Sequence, residues 1–145
     1  LTVAVLADRL KQPVTVKLIK QKLERGGLRR RTLLQTADLP LLLAITHVRL
    51  LPETRGLIRT LRRTPTMPLG DALRKHRLFG KKSTPEIRSG PCLPDYRALF
   101  GLDDSVTSHW ERTYAIMSPK GKQIAGITEI ISPKLEALFQ ENRES

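Results

Sequence analysis

The chain has 145 residues, with 26 lysines and arginines against 14 aspartates and glutamates, a formal charge of +12. Residues 1–145 are long enough to form one domain with a core that needs no disulfide or metal staples, and we read them as such a domain with a trimmed N-terminus. The longest apolar run, Leu41–Ile45, is far short of the roughly 18–20 residues of a membrane span. The single cysteine, Cys92, excludes an internal disulfide and fits a reducing, cytoplasmic compartment.

The first predicted element is a short helix over residues 1–10, capped by Thr2, with Val5, Leu6 and Leu10 on one face. Val14, Val16 and Leu18 alternate with polar residues and predict a half-exposed strand over Val14–Lys20. Gly26-Gly27 breaks the chain. Arg29–Thr36 and Leu41–Leu50 then read as an antiparallel hairpin around the Ala37-Asp38-Leu39-Pro40 turn. Pro52-Glu53 opens a helix whose apolar face is Leu57, Ile58 and Leu61, with Arg55, Arg59, Arg62 and Arg63 left in water. A proline-rich linker leads to a second short helix, Leu69–His76. Residues 77–92 read as a basic loop, with a short strand at Glu86–Arg88.

Pro94–Phe100 is a short helix closed by Gly101. Val106–Met117 follows as a long strand, with Trp110, Arg112, Tyr114 and Ile116 on one parity. The turn Ser118–Gly121 leads into a last strand, Lys122–Ile131, and Pro133–Gln140 reads as a terminal helix. This order points to an α+β domain: one antiparallel sheet with helices packed over it.

The charge is uneven. Residues 1–90 hold 20 basic and 6 acidic side chains, +14, whereas residues 91–145 hold 6 and 8, −2. A basic half suggests an anionic partner. Nucleic acid is not the expected one, because aromatics make up only 4% of residues, too few for a base-stacking platform. His47, His76 and His109 lack the spacing of a zinc site, and no glycine-rich phosphate loop or nucleophile elbow is present. No metal and no organic cofactor is therefore expected.

Two charged features stand out. Glu129 shares its strand parity with Ala125, Ile127 and Ile131, which puts a carboxylate on the inward face. There it is either a proton-transfer group or half of a structural ion pair. In Arg29-Arg30-Arg31, Arg30 must point away from its two neighbours. With Leu33, Leu41, Leu43 and Ile45 as candidates for one apolar face of the hairpin, at least one arginine turns toward protein, where its planar fork suits a carboxylate. Arg112, between Trp110 and Tyr114, either stacks on those rings or supplies a second cation.

Four segments, in order, resemble the chorismate lyase family. They are Leu1-Thr2 with Pro13-Val14-Thr15-Val16, then Leu28–Leu34 running through Pro40 into Ala44, then Thr66-Met67-Pro68-Leu69-Gly70. The last joins Trp110-Glu111-Arg112-Thr113-Tyr114 to Ile127-Thr128-Glu129 with Pro133 downstream. The resemblance implies a six-stranded antiparallel sheet with helices closing over an internal site. It also implies conversion of chorismate to 4-hydroxybenzoate and pyruvate by a monomer with no cofactor. It carries substrate binding to Arg30, to the backbone of Leu69 and to Leu1, and the catalytic role to Glu129; Arg112, singled out by its strand parity, is the further cation expected for this small anionic substrate. The effector-sensing domains of GntR-type transcription regulators resemble the same fold. A non-enzymatic effector-binding domain is thus the alternative expectation.

Overall fold

The computed structural model describes residues 3–37, 39–135 and 137. Helix α1 (Val3–Leu10) is followed by strands β1 (Thr15–Glu24), β2 (Gly27–Thr36) and β3 (Leu39–Arg49). A 3-10 turn over Pro52–Thr54 runs into α2 (Arg55–Arg63), and α3 (Leu69–Lys75) follows. Next come β4 (Lys81–Lys82), β5 (Glu86–Pro91), α4 (Pro94–Phe100), β6 (Ser108–Met117) and β7 (Gln123–Ile131). All strands join one antiparallel sheet in the order β1-β2-β3-β7-β6-β4, with β5 also against β6. This is the α+β class expected, with seven strands in place of about six. No helix among the described residues is long and apolar enough to cross a membrane.

Several boundaries differ from the sequence reading. β1 continues past Lys20 to Glu24, because β2 offers pairing partners down to Gly27. β4 was not expected at all: two residues carry no periodic signal, and only the edge of β6 makes Lys81 and Lys82 a strand. In α1 the buried face is Leu6 and Leu10 with Val3 and Ala7 packed beside them, while Val5 is 40% exposed. Thr2 and most of the expected terminal helix fall outside the described residues, although Pro133–Leu135 are helical.

The hairpin of β2 and β3 is apolar on both faces. Leu33 and Leu43 pack with Phe100 and Ile130 under α4. Leu34 and Leu42 pack on the other side with Leu6, Leu10 and Leu41 under α1. That second side also carries the largest cluster, where Leu57, Ile58, Leu61 and Leu73 of α2 and α3 meet Leu28, Val48, Tyr114 and Ile127 of the sheet. One face therefore bears two apolar clusters at its two ends. Thr54 anchors the corner between them and β3: its buried hydroxyl accepts from the Leu51 amide at 2.9 Å and donates to the Arg49 carbonyl at 2.5 Å.

Gly27 opens β2 with φ +146°, and a Cβ there would sit 2.0 Å from the Val48 carbonyl oxygen. Gly27→Ala is expected to lower the free energy of unfolding by about 2 kcal/mol or more. Gly126→Ala, whose Cβ would meet nothing within 4 Å, should change it by about 0.5 kcal/mol or less. Urea denaturation of the two variants measures both.

Candidate functional site

Cross-strand pairing decides which charged residues meet. On the face under α1, α2 and α3, one row across the sheet runs Gln21, Arg30, Thr46, Ile127, Tyr114. The next runs Thr32, Ala44, Glu129, Arg112. Small side chains, Thr32, Ala44 and Thr46, occupy the middle strands, so they cannot fill the space between the two apolar clusters. The result is a cavity of about 290 Å³. Its floor is those three residues, and its walls include Arg30, Glu129 and Tyr114. Val3 and Val16 close one end, while Met67, Leu69 and Phe79 close the other.

Arg30 is 3% exposed, whereas Arg29 and Arg31 face solvent and Arg29 pairs with Glu24 at 2.8 Å. The Arg30 Nε donates to Gln21 Oε1 at 3.2 Å and its Nη2 donates to the Pro65 carbonyl at 2.9 Å. Both acceptors are neutral. Among the described residues no carboxylate lies within ion-pair distance, and burial pulls the guanidinium down to about 10. The bond to Pro65 ties β2 to the linker that launches α3. Leu69, Gly70 and Asp71, the first turn of α3, border the same cavity. Their amides have no intrahelical acceptor, as at any helix start.

Glu129 is 2% exposed and lines the cavity. The Tyr114 hydroxyl donates to its Oε2 at 3.3 Å, and Arg112 Nε stands 3.8 Å from its Oε1. Burial, reinforced by the charge of Glu129, pushes the Tyr114 phenol well above its usual range, so that it remains a donor. The Arg112 guanidinium also lies 5.4 Å from the centre of the Tyr114 ring, and the Lys82 ammonium sits 5.2 Å from the same ring. Lys82 lines the cavity with its ammonium depressed chiefly by burial, an effect that the charge of Glu129 opposes.

The sequence-predicted residues therefore separate. Arg30, Leu69 and Glu129 come together around one cavity. Arg112 does not line it: its guanidinium stands in ion-pair range of Glu129, without a hydrogen bond from its buried Nε, and over the ring of Tyr114, and Trp110, 48% exposed, is not part of that stack. The expected second cation is thus displaced by the register, which sets Arg112 directly beside Glu129. Leu1 lies outside the described residues, though Val3 reaches the cavity. Lys82, Arg74 and Phe79 were missed, because they sit where the sequence reads as loop or as helix surface. Among the described residues no group of three or more His, Cys, Asp or Glu is placed to hold a metal ion.

No protein-family model and no curated protein matches the chain. Solved structures do match. The effector domain of PhnF from Mycobacterium smegmatis superposes with a TM-score of 0.71 at 16% identity, covering 88% of this chain and 86% of that one. The chain shares the chorismate-lyase-like fold with regulator domains. A ligand-binding domain assigned to the GntR family of transcriptional regulators, from Bordetella bronchiseptica, gives 0.67 at 11% identity, with 84% of each chain covered. The C-terminal domain of the histidine utilization repressor from Pseudomonas syringae gives 0.68 at 12% identity over 83% of this chain and 92% of that one. Against another structure of PhnF from Mycobacterium smegmatis, the chain spans 62% of that chain.

Arg112→Met leaves the buried carboxylate of Glu129 without its guanidinium, and should cost about 3 kcal/mol of stability. Arg88→Met breaks a more exposed pair with Glu111 at 3.0 Å and should cost about 0.5 kcal/mol or less. Thermal and urea unfolding of the two variants compare them.

Proposed function

We propose that the chain is an effector-binding domain that holds a small anionic molecule in the cavity without turning it over. The observation that carries this reading is Arg30, a guanidinium 3% exposed, bordering a cavity and bonded only to neutral acceptors. A buried cation without a counter-charge costs stability, and an anionic ligand in the cavity supplies the missing charge. The similar structures, an effector domain, a ligand-binding domain and a domain of a repressor, support binding over catalysis. In this reading the ligand shifts an equilibrium of the whole regulator, and its anion makes the differential contact with Arg30 that such a shift needs. The same polypeptide then carries a DNA-binding segment, which the open reading frame around the coding sequence tests.

The enzyme reading keeps one specific observation in its favour: Glu129, a buried carboxylate, borders the same cavity as Arg30. In that reading Arg30 grips the ring carboxylate of chorismate and Glu129 orients the region where the ether bond to C3 breaks. The C4 hydrogen passes to the departing enolpyruvyl methylene, which leaves as pyruvate, and the ring becomes aromatic. Against it stands the pairing of Glu129 with Arg112, Tyr114 and the field of Lys82, which commits the carboxylate to the protein itself.

Incubation with chorismate separates the two. Binding without release of 4-hydroxybenzoate or pyruvate is the expected outcome, and turnover abolished by Glu129→Ala would overturn the binding-only reading. Arg30→Met should leave the melting temperature of the free protein unchanged or raised, since it removes a buried charge. The sign follows from the guanidinium's fall to about 10, caused by burial. The charged form is disfavoured in the folded state at neutral pH, and that cost disappears only as pH rises through about 10 and beyond. The same variant should lose the thermal upshift that small carboxylates or phosphates give the unaltered protein.

A further inference from the structure

We propose that the ligand of this cavity carries two anionic groups, one held by Arg30 and the other by Lys82 at the opposite wall. The inference rests on the reading of the cavity as a small-anion site and adds to it the number and placement of the charges.

Among the described residues, five charged side chains line the cavity: Arg30, Asp71, Arg74, Lys82 and Glu129. Asp71 and Arg74 face each other at 3.6 Å, and Glu129 has Arg112 3.8 Å behind it. Arg30 and Lys82 are left as the cations with no carboxylate within ion-pair distance among the described residues. They stand on β2 and β4, four strand spacings apart, roughly 19 Å along the sheet. Two long side chains reaching inward from there leave a gap that suits a small molecule with an acid group at each end.

The position of Lys82 is built rather than incidental. Lys82 pairs with Ile116 and so shares the face of Ile116 and Tyr114, whereas Lys81 faces solvent. Hydrogen bonds clamp the two-residue strand from both sides. The Gly80 amide donates to the Met117 carbonyl at 2.8 Å, and the Ser83 amide donates to the Ala115 carbonyl at 2.8 Å. The Ala115 amide returns a bond to the Ser83 hydroxyl, also at 2.8 Å. Gly80 permits the approach: a Cβ there would lie 2.4 Å from the Ser118 carbonyl oxygen. A solvated surface lysine needs no such anchoring. The ring of Tyr114 lies beside the Lys82 ammonium, and the Tyr114 hydroxyl turns away to Glu129. Glu129 is reached more closely by Arg112, so a monoanion on Arg30 leaves the partly desolvated ammonium without a close counter-charge. A second acid group supplies it. Dicarboxylates and phosphorylated acids share this chemistry.

The test is calorimetric titration at fixed ionic strength with the α,ω-dicarboxylates from succinate to suberate, each against the monocarboxylate of equal chain length. The unaltered protein and the variants Lys82→Met, Lys81→Met and Arg30→Met are compared, with melting curves to verify folding. We expect at least one dicarboxylate to bind about tenfold or more tightly than its monocarboxylate partner. Lys82→Met should erase that advantage while leaving monocarboxylate binding unchanged, and Lys81→Met should change neither. An advantage that survives Lys82→Met, or that is missing throughout the series, overturns the two-anion inference alone, provided monocarboxylates bind and Arg30→Met abolishes their binding. If neither series binds the unaltered protein, the anion-site reading falls with it.

Discussion

Two charged side chains, Arg30 and Glu129, stand on the same sheet face as the apolar residues that anchor α1, α2 and α3. A helix cannot pack directly over them, since its side chains would strip water from both without offering equivalent partners. The helices therefore gather at the two ends of the face, α1 over Leu34 and Leu42, α2 and α3 over Leu28, Val48 and Ile127. The gap between the clusters is the cavity. Its existence follows from the register, because Thr46 is the cross-strand partner of Arg30 and Ala44 that of Glu129, and these two, with Thr32 opposite Ala44, are too short to fill it.

The two charges are treated differently. Glu129 is enclosed in a network of Arg112, Tyr114 and the field of Lys82, and such a network holds a buried carboxylate in one orientation. Arg30 has only the neutral oxygens of Gln21 and Pro65. Its bond to Pro65 connects the sheet to the linker before α3, and the first turn of α3 borders the same cavity. An anion on Arg30 thus meets the group that bonds the sheet to the linker before α3, a physical route from occupancy to the position of a helix. This asymmetry is why the site reads as a receptor for an anion more readily than as a proton-transfer centre.

Much of the fold was legible because it rests on local rules. Pro94–Phe100 with Gly101 at φ +63° is a proline start and a glycine stop. Leu57, Ile58 and Leu61 mark the buried face of α2 by spacing alone. Alternation singled out Glu129, and the opposite facing of adjacent strand positions made Arg30 distinct from Arg29 and Arg31. The same alternation misled where both faces are covered. Leu33, Leu43 and Ile45 belong to the face under α4, away from Arg30, while Leu34 and Leu42 share its side. A doubly buried strand shows no apolar and polar contrast from which the site's face can be read.

Sequence by itself determined the class of fold, most of its elements and two of the three charges that matter, because backbone propensity, parity and capping act over a few residues. Only the tertiary structure decided what those charges face. The strand order set Arg112 against Glu129 and so removed it from the cavity, and the edge of β6 turned Lys81-Lys82 into a strand that delivers Lys82 in its place. Both outcomes depend on contacts between residues about 15 to 35 positions apart in the chain, and no window on the sequence contains them.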